Sequence, residues 1–152
     1  MIKIKVVKIS EDMEANVLFH VHEITENVQQ AITILKGGNQ HLFASSMSST
    51  REQQIDYANI VFAEYLNRQM FVYTTNKVYY IRRSLTKFNQ QSPNYLVQIS
   101  KSVMINLYTV SSFETKLNGN LLVILNTGEK QIVSRKFVSN LRKQLRGFSI
   151  IS

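Results

Sequence analysis

Residues 95–102 read Tyr-Leu-Val-Gln-Ile-Ser-Lys-Ser, and three shorter stretches follow: Ile-Asn-Leu at 105–107, Thr-Gly-Glu at 127–129 and Val-Ser-Arg at 133–135. Runs rich in Val, Ile, Leu and aromatic residues separate these stretches, and such runs favour β-strands. Polar and basic residues therefore stand where the strands end. This spacing predicts a compact β framework that presents a few Lys, Arg and Asn side chains from its loops.

The remainder of the second part of the chain, residues 46–152, continues this pattern. Asn118-Gly119 is the strongest short turn signal in the sequence. Ser84 is a plausible cap for a short helix over 84–88, and a tight helical turn is expected at 101–104. Residues 136–146 predict an amphipathic helix, because Phe137, Leu141 and Leu145 fall at fourfold spacing. No internal repeat is evident. The predicted strands are 60–65, 70–74, 77–81, 95–99, 110–117, 121–125 and 131–133.

The first 45 residues predict a small β-β-α unit. Lys alternates with Ile and Val over residues 2–9, and residues 17–22 indicate a second strand. A helix is expected from Thr25 to Gly37-Gly38, with Val28, Ala31, Ile32 and Leu35 on one face. The polar run 45–54 is the best boundary, which divides the chain into 1–45 and 46–152. The predicted fold class is mainly β, α+β overall.

The net charge of +8 is distributed unevenly. Residues 51–152 contain fourteen Lys or Arg and five acidic residues, a net +9, whereas residues 1–50 contain four Lys and five acidic residues, a net −1. A domain this basic indicates a polyanionic partner, which is nucleic acid or an anionic membrane surface. The alternative is a basic surface that serves solubility alone.

The sequence gives little support for catalysis or metal binding. It has no cysteine, which excludes disulfides and thiolate zinc sites, and no G-x-S-x-G, P-loop or H-E-x-x-H motif. His20 and His22 share a strand face, with His41 as a third candidate, but ordinary strand histidines explain them better than a metal. We therefore expect no enzyme, no cofactor and no metal. The N-terminus has no uninterrupted apolar stretch, so a cytoplasmic protein is expected.

The basic residues that end or follow strands are the candidates for binding. Arg68, Lys101 and Arg135 each stand among hydrogen-bonding residues, and such groups can read base edges or hold phosphates. The alternative is that these loops are only solvated. A different nucleic-acid surface would use the strand aromatics to stack unpaired bases, although packing is the commoner role of aromatics in strands. These aromatics are Tyr65, Phe71, Tyr73, Tyr79 and Tyr80.

Over about residues 51–146 the chain resembles the LytTR DNA-binding domain of bacterial transcription regulators. The resemblance depends on four blocks and on the spacing between them. They are the strand entry at 55–64, the serine-led helix at 84–88, the block at 95–107 with Lys101-Ser102 and Ile105-Asn106, and Gly128 followed by Val133-Ser134-Arg135. The family usually has His-Arg where this chain has Ser100-Lys101, and Lys lacks the planar fork of Arg.

The resemblance implies an elongated β framework that lays loops into successive major grooves of duplex DNA. It implies a sequence-specific transcription regulator of the stand-alone type, because the first 45 residues are too short for a receiver domain. A homodimer on repeated sites and a regulatory membrane protein are the further partners expected. The alternatives are a binder of RNA or single strands, and a basic module that docks on an acidic protein or a membrane. Base contacts are expected from Asn67, Arg68, Gln69, Lys101 and Arg135, and DNA-backbone contacts from Ser100, Ser102, Asn106, Ser134 and Lys136.

Overall fold

The computed structural model describes residues 2–35 and 41–151, with side chains described as far as Arg146 in the last helix. The helices are α1 (Glu26–Leu35), α2 (Leu85–Gln91) and α3 (Arg135–Ile151). The strands are β1 (His41–Ser46), β2 (Glu52–Asp56), β3 (Ile60–Leu66), β4 (Gln69–Thr74), β5 (Val78–Ile81), β6 (Leu96–Gln98), β7 (Val103–Asn106), β8 (Val110–Thr115), β9 (Leu121–Leu125) and β10 (Lys130–Val133). The predicted fold class, mainly β and α+β overall, is confirmed.

Antiparallel pairing organises the strands into two sheets. The larger sheet has seven strands in the order β2-β1-β5-β4-β3-β7-β6, and the smaller has three in the order β10-β9-β8. β1 lies between β2 and β5, so residues 41–46 belong to the large sheet. This strand crosses the boundary predicted between residues 45 and 46. The division of the chain into a regulatory unit and a DNA-binding domain stays a prediction.

Two sets of buried apolar side chains hold the framework together. The first surrounds Phe88 of α2 and includes Met70 on β4, both fully buried. The second joins the large sheet to the small one and to α3, with Ile105, Leu121 and Leu141 fully buried. The predicted apolar stripe of α3 is thus confirmed at Leu141, and the two neighbouring residues of the stripe are half-buried against the same cluster. A buried aliphatic side chain of this size stabilises the fold by about 1.5–3 kcal/mol.

The order of elements repeats once along the chain. A strand pair, a short 3-10 helix, three strands and a helix occur as β1 to α2 and again as β6 to α3. The two 3-10 helices, Tyr57–Asn59 and Leu107–Thr109, are capped alike. Asp56 accepts a hydrogen bond from the Ala58 N–H at 3.0 Å, and Asn106, fifty residues later, accepts one from the Tyr108 N–H at 2.9 Å. This repeat lies in the order of elements and in capping rather than in the sequence, where no repeat is evident.

The N-terminal region differs from its prediction. The helix α1 is confirmed, and Thr25 caps it: its hydroxyl oxygen accepts a hydrogen bond from the Val28 N–H at 3.4 Å. The predicted helix end at Gly37-Gly38 lies outside the described residues. The strands predicted at 2–9 and 17–22 are wrong, since neither segment is paired into a sheet. Alternation gives a segment an apolar face, but a strand forms only where a neighbouring strand supplies hydrogen bonds.

In the second part, the predicted strands are confirmed with ends shifted by a residue or two. The short helix is also confirmed: Ser84 caps α2 by accepting a hydrogen bond from the Lys87 N–H at 3.2 Å. The tight helical turn predicted at 101–104 is wrong. Val103 begins β7 instead, because its carbonyl accepts a hydrogen bond from the Ile99 N–H at 2.9 Å and closes a hairpin.

Candidate nucleic-acid interface

The first candidate segment is the turn between β3 and β4. Leu66 pairs with Gln69, which leaves Asn67 and Arg68 as a two-residue hairpin loop. Both loop residues have left-handed backbones, with φ of 53° and 62°, as a type I′ turn requires. Asn tolerates this conformation well, whereas Arg does so at a cost. The turn exposes both side chains, and Gln69 is half-buried at the start of β4.

The second candidate segment is the turn between β6 and β7. The Ser100 hydroxyl accepts hydrogen bonds from the N–H groups of Ser102 and Val103, at 3.3 and 3.1 Å. The Gln98 side-chain amide donates to the Ser100 carbonyl at 2.9 Å. Ser100 and Ser102 are half-buried, and Lys101 is exposed between them. The serine at position 100 therefore shapes the turn that presents Lys101.

The third candidate segment joins β10 to α3. Arg135 is the first residue of the helix, and both it and Lys136 are exposed. The Lys136 ammonium lies 5.8 Å from the centre of the Phe137 ring, a cation–π distance. Ser134 precedes the helix and is half-buried. Its carbonyl accepts a hydrogen bond from the Phe137 N–H at 2.8 Å, which forms the first turn of the helix.

Two backbone hydrogen bonds bring these three segments side by side. The Tyr65 N–H, at the end of β3, donates to the Ser102 carbonyl at 2.7 Å. The Ser134 N–H donates to the Ile99 carbonyl at 3.0 Å. The β6–β7 turn is therefore hydrogen-bonded to the end of β3 on one side and to the start of α3 on the other. Residues that are far apart in sequence thus form one edge, with Lys101 between Arg68 and Arg135.

The turn between β8 and β9 also reaches this edge. Gly119 has a left-handed backbone, with φ of 85°. A Cβ atom at Gly119 would lie 2.9 Å from Cδ and 3.3 Å from Cγ of Arg135, closer than packed carbon atoms allow. The aliphatic part of the Arg135 side chain thus lies directly over the glycine. No motif had linked these residues, although the Asn-Gly signal located the turn correctly.

Asn106 has a different role from the predicted one. Its side chain is only 1% exposed; the amide donates to the Ile60 carbonyl at 2.8 Å while the oxygen accepts from the Tyr108 N–H. Both polar ends are used inside the protein, so the prediction that Asn106 contacts the DNA backbone disagrees with its placement. This asparagine instead links β7 to β3 and caps the 3-10 helix that follows.

Two further arginines lie next to the first segment and were not among the predicted contacts. Ile81, the last residue of β5, pairs with Met70 beside the β3–β4 turn. Arg82 follows it and is exposed, whereas Arg83 is half-buried near Tyr57, where its positive charge offsets part of the rise that burial causes in the pKa of the phenol. The sequence signal was available, because an Arg pair follows a predicted strand. Arg82 therefore joins the candidate edge, and Arg83 has a structural partner.

The charge of this edge is not neutralised by acidic neighbours. Residues 2–35 and 41–146 form a single salt bridge, between Lys116 and Glu114 at 3.1 Å, and both of its side chains are exposed. Arg142 on α3 donates to the Thr115 hydroxyl at 2.9 Å rather than to a carboxylate. The cationic groups along the edge thus keep their charge available for an anionic ligand.

The strand aromatics are not arranged as a free stacking surface. All five predicted candidates are half-buried. Tyr65 and Tyr79 pack against the first core, and Tyr73 stacks on Phe62 with ring centres 4.2 Å apart. Burial, followed by the charges of nearby Glu64 and Glu129, raises the pKa of the Tyr73 phenol. These contacts favour packing over base stacking.

No group of three or more His, Asp or Glu side chains among the described residues is placed to hold a metal ion. The described helices also include none with the length and apolar character to cross a membrane. The exposed chemistry of the candidate edge consists of guanidinium, ammonium, amide and hydroxyl groups.

Comparisons with known proteins agree with this geometry. Residues 50–146 match the family model of the LytTr DNA-binding domain. The Sensory transduction protein LytR of Streptococcus agalactiae serotype V is 30% identical over 120 residues, which are 78% of this chain and 48% of that protein. The chain thus spans about half the length of that relative.

Two further known proteins are matched over nearly their whole length. An uncharacterized HTH-type transcriptional regulator of Staphylococcus aureus (strain NCTC 8325 / PS 47) is 19% identical over 95% of this chain and 99% of its own. A solved LytTr DNA-binding domain comes from a Bacillus cereus protein described as a methyl-accepting/DNA response regulator. It has a TM-score of 0.65 at 16% identity, covering 71% of this chain and 98% of that domain. At that identity the structural likeness concerns the fold.

Proposed function

The chain belongs to the LytTR DNA-binding domain family, and we propose that it regulates transcription by binding a specific duplex DNA site. The main support is the pair of backbone hydrogen bonds that hold three predicted contact segments along one edge, Tyr65 to Ser102 and Ser134 to Ile99. The edge presents cations on short, well-defined turns. Turns of this kind can enter a major groove while the sheets stay outside the duplex.

Each candidate side chain along the edge has a proposed role in this complex. Arg68 and Arg135 read guanine edges, because a guanidinium donates two parallel hydrogen bonds to O6 and N7. Asn67 and Gln69 read adenine, and Lys101 binds a guanine oxygen or a phosphate as a point charge. DNA-backbone contacts come from Ser100, Ser102, Ser134 and Lys136 at the rims of the turns, with Arg82 added.

The wider function follows from this binding mode. The protein acts in the bacterial cytoplasm as a binding protein rather than an enzyme. A homodimer occupies repeated DNA sites, and a regulatory membrane protein controls its activity. The net +9 of residues 51–152 supplies the general attraction to DNA, so affinity should fall steeply with salt. Each neutralised phosphate adds about −0.9 to the slope of log K against log salt.

Arg135→Ala tests the base-reading role. Duplexes selected from a random library by the wild-type protein serve as cognate DNA, and shuffled duplexes as non-specific DNA. The variant should bind cognate DNA about 5- to 150-fold more weakly, corresponding to about 1–3 kcal/mol, with little change on shuffled DNA. Lys77→Ala is the matched control, because Lys77 is exposed in the turn at the other end of β4 and carries the same charge.

The outcomes separate the proposed function from its rivals. Equal losses on cognate and shuffled duplexes would reduce Arg135 to a phosphate contact. Tighter binding to single-stranded DNA or RNA than to any duplex would favour the single-strand alternative. Binding to anionic vesicles without sequence-selective duplex binding would replace the regulator with a membrane-docking module.

A further inference from the structure

A cleft of about 380 Å³ is lined by residues of α1, α2, β6 and α3 and of the segment that joins α2 to β6. Its floor is apolar, because Pro93, Leu96 and Val97 are buried there, and Phe137 is half-buried beside them. Binding sites for small molecules have volumes of about 300–1,000 Å³ and combine apolar walls with a few polar groups. The size and the floor of this cleft therefore fit one small molecule.

The polar groups of the cleft are mainly carboxamides. Seven of its thirteen described lining residues are Asn or Gln, namely Gln30, Asn89, Gln90, Asn94, Gln98, Asn140 and Gln144. A carboxamide donates hydrogen bonds through its nitrogen and accepts them at its oxygen. The carboxamide cleft, as we call this site, is therefore suited to a ligand that carries donors and acceptors side by side.

The carboxamide cleft has little charge in a strongly basic chain. Glu26, at the start of α1, is the one charged residue among the lining residues that the structure describes, although the chain contains 18 Lys and Arg. Sites for phosphate or carboxylate groups normally supply a guanidinium or an ammonium group. The lining of the cleft therefore favours an uncharged ligand, in contrast to the cationic edge proposed to bind DNA.

One hydrogen-bond acceptor in the cleft is left without a donor. The side-chain oxygen of Gln30 is buried and accepts no hydrogen bond from any part of the chain that the structure describes. Most buried polar atoms in proteins have a partner, and an unpaired one destabilises the folded state. A hydroxyl or N–H group of a bound molecule would supply the donor that this oxygen needs.

The cleft adjoins two of the segments proposed to contact DNA. Gln98 lines the cleft, and its side-chain amide donates at 2.9 Å to the Ser100 carbonyl, directly before Lys101. Phe137 also lines the cleft, and its ring lies 5.8 Å from the Lys136 ammonium at the start of α3. A ligand that competes for the Gln98 amide would therefore act on the turn that presents Lys101.

We propose that the carboxamide cleft is an effector site for a small uncharged molecule with adjacent hydrogen-bond donors and acceptors, as in a sugar or a nucleoside. Binding of this molecule alters the β6–β7 turn through Gln98 and thereby changes the affinity for DNA. The effect on DNA rests on the proposed function, whereas ligand binding does not. Binding is therefore measured first without DNA, so that a failure of the cleft can be told from a failure of the proposed function.

Calorimetric titration of the full chain tests binding with glucose, maltose, adenosine and uridine as probes. Calorimetry is preferred to melting curves, because sugars at high concentration stabilise proteins without binding to a site. At least one probe should bind saturably, and whether it is a sugar or a nucleoside identifies the class of effector. The monophosphates of glucose, adenosine and uridine should bind about tenfold or more weakly than their uncharged counterparts, because the cleft offers no cation to their phosphate.

Two substitutions within the cleft and one outside it locate the binding site. Gln30→Leu and Gln90→Ala should each weaken binding of the probe by about fivefold or more, since each removes a carboxamide from the lining. Gln91→Ala is the matched control, because Gln91 is exposed on the same helix as Gln90 but does not line the cleft. Gln30→Leu should also keep or raise the melting temperature without probe, because it removes an unpaired buried oxygen.

The effect on DNA is measured with duplexes selected by the wild-type protein. A saturating probe should change duplex affinity by about fivefold or more, and duplex DNA should change probe affinity by the same factor. Gln98→Ala should lose this change even when the probe is saturating, whereas Gln91→Ala should keep it. Failure of all four uncharged probes to bind, equal binding of the phosphorylated compounds, or unchanged probe binding in both cleft variants would each overturn the site. A bound probe that leaves duplex affinity unchanged would overturn the effector role.

Discussion

Replacing Arg68 by glycine should change stability and DNA binding in opposite directions. Arg68 has a φ of 62° in the two-residue turn between β3 and β4. A left-handed backbone costs a residue with a Cβ about 1–2 kcal/mol, and glycine avoids this cost. Glycine in turn loses about 0.5–1 kcal/mol because its unfolded chain is freer. Arg68→Gly should therefore stabilise the protein by about 0.5–1 kcal/mol, which raises the melting temperature by about 1–4 °C at this chain length.

The same substitution removes the guanidinium from the proposed DNA edge. Binding to selected duplexes should fall by about 1–3 kcal/mol, the cost of one base contact. Arg68→Ala is the matched control, because alanine also removes the guanidinium but keeps the left-handed backbone with a Cβ atom. The control should bind DNA as weakly as Arg68→Gly without the gain in stability. Chemical denaturation and fluorescence anisotropy on the same preparations measure the two quantities.

Each half of this reasoning can fail separately. A glycine variant no more stable than the alanine variant would mean that the turn holds Arg68 without strain. Unchanged DNA affinity in both variants would remove Arg68 from the interface. A stabilised glycine variant that binds DNA as well as the wild type would show that the strained backbone at Arg68 serves no role in DNA binding.

Other substitutions test further parts of the structure. Gly119→Ala and Gly128→Ala each place a Cβ at a positive φ, and each should cost about 1 kcal/mol of stability. Only the Cβ at position 119 collides with Arg135, so only Gly119→Ala should also weaken binding to cognate DNA. Equal DNA affinities of the two variants would show that Arg135 adjusts freely. Leu141→Ala should cost about 2–5 kcal/mol by urea denaturation, because Leu141 is fully buried between α3 and the sheets; an unchanged midpoint would contradict that packing. Burial raises the pKa of Tyr95 to about 12, above the usual 10, so the neutral phenol contributes fully to stability below pH 10 and this contribution is lost between pH 10 and about pH 12. Tyr95→Phe should flatten this loss of stability at alkaline pH. The same loss in the variant would show that other groups cause it.

Local sequence signals predicted much of the second part of the chain. Strand runs, the serine cap at Ser84 and the Asn118-Gly119 turn depend on residues close together, and the structure contains all of them. The buried face of α3 was also predictable, because fourfold spacing places Leu141 toward the core. Such features depend on periodicity and capping, which a single sequence displays directly.

The arrangement of the candidate site required the tertiary structure. Local sequence patterns indicate Arg68, Lys101 and Arg135 one by one, and the alignment of these residues depends on long-range hydrogen bonds that no local pattern encodes. Asn106 shows the limit of such selection, because a polar residue beside a predicted loop can equally be a buried link between strands. The N-terminal segment shows another limit, since alternation at 2–9 indicates the ability to form a strand and says nothing about its partner.

The repeated order of elements places equivalent positions of the two repeats in different surroundings. Arg135 begins α3 and Leu85 begins α2, fifty residues earlier, at the same place in the repeated order of elements. Leu85 is buried against the first core, whereas Arg135 is exposed beside Lys101. A position that packs the core in the first repeat is thus exposed in the second. If the repeated order of elements alone produced DNA binding, Leu85→Arg would add a second DNA contact. Because Leu85 is buried, we expect instead that Leu85→Arg lowers stability and leaves DNA affinity no higher than that of the wild type.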